Sequence, residues 1–369
     1  MIDSGGPQNR AGSRRRDWLQ LAILCDRIPR VGAALTTAVK EGQRLGAAFE
    51  EAQMDRGRRS RARAILRHWP AERVEEIVGR AGCCVAVPGE TEYPSRLLDL
   101  DVPPAALFWC GERPDWEVEA VAIVGSRNAS RAGCALAHGF ASAAAESGVS
   151  VISGMAFGVD SAAHVGALDG GGVTVAVLAG GAECPSPRGM ARVYERILDS
   201  GGVIVSEYPP CSVPRAYRFP IRNRIIAGLG DRLLVVEAGV RSGSLHTVDH
   251  ALTLGRTVFS VPSDAGRATG RGSNQLIRDG AAVALDPADL FPEWQRPERA
   301  ESQLTMNERK IMKLLQGGAC PVNEVADRLG VPISTVLASM ARLEARGLLE
   351  VRAGWAEPAL VGPAMAGGR

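Results

Sequence analysis

The chain is predicted to be an α/β protein whose core is a parallel sheet covered on both faces, with a helical domain before it and a winged helix after it. Three observations predict this. Between Val121 and Pro262, short β-branched runs alternate with alanine-rich stretches of helical character. Those runs are continuously apolar, the pattern of strands buried on both sides rather than on one. The 369 residues are 46% hydrophobic, enough for a large core and two or three domains.

Residues 1–16 are rich in Gly, Arg and Ser and are expected to be a disordered basic tail. Residues 17–85 read as helical: LQLAILCDRIPRVGAALTTAV, an arginine-rich connector, then ILRHWPAERVEEIV. IPRVGAAL resembles the turn and second helix of a SAM-like or helix-hairpin-helix module, which either grips DNA backbone or serves as a helical docking or dimer domain. Arg56 to Arg67 carries six arginines, either a solvated face or a polyanion contact. The core, residues 86–291, has strand candidates VAIVG (121–125), VSVISG (149–154), VTVAVLA (173–179), GVIVSE (202–207), RLLVVEA (232–238) and TVFSVP (257–262). Residues 292–302 form a polar Pro-containing linker. Residues 303–360 contain three helical stretches and a short hairpin, and MxxLExxGLL followed by a short wing fits a winged helix with Leu337, Met340, Ala341 and Leu343 facing inward. Residues 361–369 are a tail.

Charge narrows the partners. The net charge is +2, so any polyanion must be met by a local patch. Of the 43 basic residues only Lys40, Lys310 and Lys313 are lysine. Genome base composition can produce that bias; the planar arginine fork also suits phosphates and base faces. From Glu301 to Val361 seven basic residues stand against seven acidic, a balance that argues against strong phosphate neutralisation by the winged helix. Self-association or a protein partner suits it as well as duplex DNA. The eight cysteines show no CxxC pair and no metal spacing, and read as buried thiols in a reducing compartment. Arg14 to Arg16 before WLQLAILC mimics a signal peptide, but Asp17 and Asp26 bracket too short an apolar run. With no membrane span in sight, a cytoplasmic protein without metal or cofactor is expected.

In a parallel sheet ligands bind at the carboxyl ends of the strands. There the first strand is followed by Gly125, Ser126 and Arg127, and a helix begins near Arg131. The second ends in SGMAFGVDSAAH, where Gly154 and Gly158 open a loop before a helix capped by Asp160 or Ser161. Glycines allow close backbone approach, and free amides at a helix start attract anions. Neither loop is GxGxxG with an acidic residue on the next strand, so an ordinary dinucleotide site is not supported. Together with FPIRNR (219–224) and RSGSLHT (241–247) they amount to a surface for phosphates.

VAIVGSR, SGMAFGVDSAAH, SEYPP, FPIRNRIIAGL, VVEAGVRSGSLHT, GRTVFSVP and GSNQLIRDGA occur in this order. With that spacing the chain resembles the DNA-processing protein A family, also called Smf, from about Tyr93 to Ala282. The resemblance implies an extended Rossmann-like core that binds single-stranded DNA, protects incoming DNA during natural transformation, and loads the RecA recombinase, commonly as a homodimer. It implies no enzyme activity. Carried over, it implies DNA contact by Gly125, Ser126 and Arg127; by Ser153, Gly154, Phe157 and Gly158; by Arg188; by Phe219, Arg222, Asn223 and Arg224; and by Ser242, Gly243 and Ser244. Departures stand at Ser186-Pro187 for Tyr-Pro, at Phe157 for arginine, at His246 in the SGSL loop, and at Ser263 for glycine.

Physically, arginines serve phosphates, Phe219 offers a ring, and Asn223 a polar edge. Either Arg222 or Arg224 could instead pair with an internal carboxylate such as Glu237. A competing class is a Rossmann-like nucleotide N-glycosidase or phosphoribohydrolase using Glu237, with Asp160, His164, His246, Asp249 and His250 as further acid/base candidates.

Overall fold

The computed structural model describes residues 7–291, 305–315, 318–345 and 348–358. The linker at 292–302, residues 1–6 and the tail at 361–369 lie outside them. Five helices come first: α1 (Pro7–Arg27), α2 (Pro29–Lys40), α3 (Leu45–Glu51), α4 (Arg56–His68) and α5 (Ala71–Arg80). Residues 7–16 therefore differ from the expected disordered tail. The apolar run Trp18 to Leu24 is buried, and the helix it forms extends back through Arg15, which pairs with Glu75 at 3.0 Å and with Glu90. Pro29 ends the α1 pattern and starts α2. Gly32 lets the two helices touch, since a Cβ there would lie 2.5 Å from the Cys25 backbone.

The core strands are β1 (Cys84–Ala86), β2 (Leu107–Gly111), β3 (Ala120–Val124), β4 (Ser150–Ser153), β5 (Thr174–Leu178), β6 (Val203–Ser206), β7 (Arg232–Val235), β8 (Thr257–Ser260) and β9 (Ala282–Val283). They form one sheet in the order β1-β2-β6-β5-β4-β3-β7-β8-β9. All six predicted strands are present and parallel. Three further strands join them: β9, the antiparallel β2, and β1, which the helical domain's expected end at residue 85 cuts through. Both faces are buried, as the continuous apolar runs require. Ala120, Ala122 and Val124 join one cluster while Val121 and Ile123 join the opposite one. Val203 and Val205 likewise face away from Ile204. Ile204 shares its cluster with Leu21, Leu24 and Leu35, so the N-terminal helices are docked on the sheet.

Helices α6 (Arg131–Glu146), α7 (Val159–Asp169), α8 (Ala191–Asp199), α9 (Arg218–Leu229), α10 (Leu245–Thr253) and α11 (Arg271–Arg278) cover the faces. Strand order reverses at β3, whose neighbours are β4 and β7, so a crevice opens at its carboxyl end.

The C-terminal unit comprises α12 (Met306–Leu315), β10 (Cys320–Pro321), α13 (Val322–Leu329), α14 (Ile333–Ala345), β11 (Leu349–Arg352) and β12 (Trp355–Pro358). Its core holds Ile311, Val325, Val336, Met340 and Leu343. Leu337 and Ala341, expected inward, point outward, with Leu337 50% exposed. The inward stripe is Val336, Met340 and Leu343, spaced i, i+4, i+7. All eight cysteines are free, and Cys84, Cys184 and Cys211 are exposed rather than buried.

Candidate nucleic-acid interface

The loop after β3 is fixed by its backbone. Ser126 N–H donates to the Glu237 carbonyl at 2.6 Å, and Val159 N–H to the Ser126 carbonyl at 3.2 Å. Ser130 caps α6, its hydroxyl accepting from Gly133 N–H at 3.0 Å and donating to Glu237 Oε2 at 2.7 Å. Glu237 is thus committed to this loop, and no arginine of α9 pairs with it. Gly158, rather than Asp160 or Ser161, occupies the cap position of α7, at φ +78°. A Cβ there would meet the Ser126 carbonyl at 2.3 Å and the Arg127 carbonyl at 2.8 Å, so only glycine lets the two strand-end loops close on each other. The Arg127 side chain is left exposed, 5.0 Å from the Phe219 ring centroid.

Helix α9 distributes its arginines by period. Arg218 is buried, donates to Asp26 Oδ1 at 2.8 Å and lies 4.2 Å from the Tyr208 ring centroid. Arg222 is also buried. Its guanidinium donates to the carbonyls of Gly154, at 2.8 Å, and Val177, and to Asn223 Oδ1 at 3.3 Å. Arg224 faces the other way and forms a fork with Glu207, Nη1 to Oε1 at 2.9 Å and Nη2 to Oε2 at 2.6 Å. One of the two arginines does pair with a carboxylate, but it is Arg224 and the partner is Glu207.

A cleft of about 500 Å³ opens where these elements meet. Gly125, Ser126, Arg127, Phe219, Arg222, Asn223, Ser242, Gly243 and Ser244 line it, nine of the predicted site residues brought together from two strand ends and one helix. Asn223 Nδ2 donates to the Gly243 carbonyl at 3.1 Å and ties α9 to the loop after β7.

The other predicted residues do not line the cleft. Ser153 is fully buried and donates to the Ile123 carbonyl at 2.7 Å. Gly154 packs on the Arg222 guanidinium, where a Cβ would be 2.5 Å from Nη2. Gly158 is the loop contact already described. Phe157 is 48% exposed beside Gly189, Arg188 is exposed, and Arg224 is held by Glu207.

Ala156, within the loop from Ser153 to Gly158, also lines the cleft, as do Asn128, Asp160, Ala216 and Thr247, which the sequence does not single out as DNA contacts. Their signal was position, in or just after a strand-end loop. Asp160 accepts from Ala156 N–H at 3.3 Å, and burial raises its pKa, opposed by the nearby charge of Arg222. Burial brings Arg222 down to about 10, opposed by Asp160, so it remains a cation at neutral pH. His164 is pushed down to about 3 by burial and shares a 2.7 Å hydrogen bond with Thr174. It stays neutral. The described residues contain no group of ligands suited to a metal ion.

The model of the family described as DNA recombination-mediator protein A matches residues 84–295, the whole sheet with its strand-end loops. The chain belongs to that family. A model described as winged helix-turn-helix DNA-binding matches residues 306–350. Protein Smf of Escherichia coli (strain K12) is 37% identical over 275 residues, covering 71% of this chain and 74% of Smf. DNA processing protein DprA of Streptococcus pneumoniae is 36% identical over 203 residues, 55% of this chain and 71% of that one. The X-ray structure of DprA from Streptococcus pneumoniae superposes with a TM-score of 0.62 at 27% identity, covering 76% of this chain and 95% of the other. A structure of DNA processing protein A from Helicobacter pylori, at 24% identity and TM-score 0.51, covers 56% of this chain and 93% of the other and shares its fold.

Proposed function

We propose that this recombination-mediator family member binds single-stranded DNA in the cleft at the carboxyl end of β3, and that it does so as a homodimer that protects incoming DNA and helps load the RecA recombinase. One observation carries the reading. Arg127 stands exposed against the Phe219 ring at the mouth of the cleft, and among the described residues no carboxylate lies within ion-pair distance of it. A single strand needs charge for its phosphates and flat surfaces for its unstacked bases, and this pair offers both. Buried Arg222 adds a fixed cation, and Gly125 and Gly243 leave backbone exposed to a phosphate. DNA processing protein A from Helicobacter pylori, which shares the fold, has a single-stranded DNA binding mode of its own.

We read the protein as cytoplasmic and non-enzymatic. No helix among the described residues is long and apolar enough to cross a membrane. Glu237, the residue a nucleotide hydrolase would need, is held by Ser130 and does not line the cleft. Release of free base from nucleoside monophosphates, abolished by Glu237→Gln, would overturn that part.

The DNA reading is tested by competition between a poly-dT oligonucleotide and a duplex of equal length. Strong preference for poly-dT is expected, and Arg127→Ala should flatten the slope of log affinity against log salt by roughly 0.7. Equal affinity for both nucleic acids removes the cleft assignment. Filament assembly by the host recombinase on DNA coated with single-strand-binding protein tests the loading step.

A further inference from the structure

The six arginines of α4 have no role in the cleft, and the helix carries them at a cost. It contains no acidic residue, and Arg56, Arg58 and Arg59 occupy its first turn, where the helix dipole disfavours cations. Arg59, Arg63 and Arg67 follow one another at i, i+4, a repulsive spacing for like charges. The carboxylates nearby are already engaged. Glu50 takes Arg59 and Arg63, Asp55 takes Arg58, and Glu72, Glu75 and Glu76 take Arg16, Arg15 and Arg80. Among the described residues no carboxylate lies within ion-pair distance of Arg61, Arg67 or Arg73.

Arg73 and the end of α4 that carries these arginines are connected to the cleft through a chain of neighbours. Ala216 lines the cleft, and Tyr217 beside it is 44% exposed. Arg218 follows and bonds to Asp26 at the end of α1. The other oxygen of Asp26 holds Arg27 at 3.0 Å, and the Arg27 guanidinium lies 5.1 Å from the Trp69 ring centroid. Arg73 lies 4.7 Å from the same centroid and donates to the His68 carbonyl at 2.9 Å. One carboxylate, Asp26, thus serves two arginines, Arg27 and Arg218, while Arg73 and Arg67 add uncompensated charge. Arg218 and Asp26 are buried and act as the fastening, while Phe219, Tyr217, Arg27, Trp69 and Arg73 leave an alternation of rings and arginines at least partly open to a strand. That alternation suits a sequence-tolerant single strand, with phosphates on guanidinium groups and bases on rings and guanidinium planes.

We propose that a single strand seated in the cleft continues over Tyr217 onto the N-terminal helical domain, where Arg27, Trp69, Arg73 and the outward arginines of α4 form a second DNA contact. The inference rests on the cleft reading and lengthens its footprint. Because α1 shares a hydrophobic cluster with the sheet, the two contacts are held in fixed relation. Short strands therefore fill only the cleft, and longer ones engage both.

The test uses the full chain with dT strands of about 6 and about 30 nucleotides. The variant is Arg61→Ser/Arg67→Ser, since both side chains are exposed and outside any ion pair, and its melting temperature should match the parent's. For the long strand the salt slope should flatten by about 1.4, so that a fourfold rise in salt costs the variant about sevenfold less affinity than the parent. For the short strand the slope should not change. An unchanged long-strand slope, or an equal change for both lengths, overturns the proposal. So does a matching slope change when a long duplex replaces the long strand, which would assign the arginines to duplex DNA. The cleft reading fails separately, by loss of short-strand binding in the parent or by indifference of the short strand to Arg127→Ala.

Discussion

Arg224 stands inside the motif that most resembles a DNA contact, yet its geometry makes it structural, and the two roles predict opposite results. The Arg224 and Glu207 side chains are 12% and 8% exposed, and two parallel hydrogen bonds join them. Arg224 also donates to the Val102 carbonyl at 3.0 Å, linking α9 to the loop before β2. Arg224→Ala leaves Glu207 buried without its cation. Breaking a buried pair from one side costs about 3–5 kcal/mol, a large part of the roughly 5–15 kcal/mol that holds a domain folded. At about 2–4 °C per kcal/mol for a unit of this size, the melting temperature should fall by roughly 6–20 °C. Replacing both partners, Arg224→Leu with Glu207→Leu, should recover most of the loss, because no unpaired charge remains. Circular dichroism melts give the temperatures, and fluorescence anisotropy with labelled poly-dT at 25 °C gives the salt slope of whatever remains folded. The parent's slope is expected for both variants. An Arg224→Ala protein that melts with the parent and binds with a slope flattened by roughly 0.7 would place this guanidinium on a phosphate and refute the reasoning.

Asp160 gives the cleft a pH dependence. Its folded-state pKa is raised by burial, so the unfolded chain gives up its proton first, and stability falls as pH rises through the window between the two values. The ionised carboxylate also repels a phosphate. Poly-dT affinity should therefore strengthen as pH falls through that raised pKa, and Asp160→Asn, titrated by anisotropy across pH, should bind several-fold tighter at pH 7 and lose that dependence; weaker binding would refute it. Gly158→Ala should lower both melting temperature and poly-dT affinity, at a cost of about 1–3 kcal/mol or more, because its Cβ would strike two carbonyls of the Arg127 loop. Thermal melts and binding measured together check it, and a variant matching the parent in both would show that the loops need not close as described.

The sheet was legible because burial on both faces writes itself into the sequence: VAIVG and GVIVSE cannot be solvated on either side. The edges were not. β1 and β9 are three and two residues long, too short for a period to register, and they exist only because a neighbouring strand offers hydrogen bonds. Residues 7–16 looked disordered from composition, but a helix anchored by Trp18 to Leu24 extends through them, and partners on α5 and in the turn after β1 receive Arg15. In α14 Met340 and Leu343 point inward as the pattern predicts, but Val336 takes the inward place expected of Leu337, and Ala341, small enough for either side, lies outward.

The site was legible as a set of loops and less so residue by residue, and α9 shows why. A residue in a helix turns by about 100°, so Arg218 and Arg222 fall within about 40° of each other while Arg224 lies nearly opposite Arg222. The spacing separates the arginines without naming their partners. Asp26, the Gly154 carbonyl and Glu207 come from three distant parts of the chain, and only the fold brings them to α9. Charge at the mouth of the apolar run IIAGL thus has two uses. Arg218, Arg222 and Arg224 fasten the helix to the N-terminal domain, the strand ends and the sheet, and Phe219 and Asn223, four residues apart on one face, are held toward the cleft by that fastening. Arg127, from another loop, meets Phe219 there. Carbonyls of Gly154 and Val177 fix the buried Arg222 guanidinium in the cleft wall, and Arg127 is the cleft arginine left exposed.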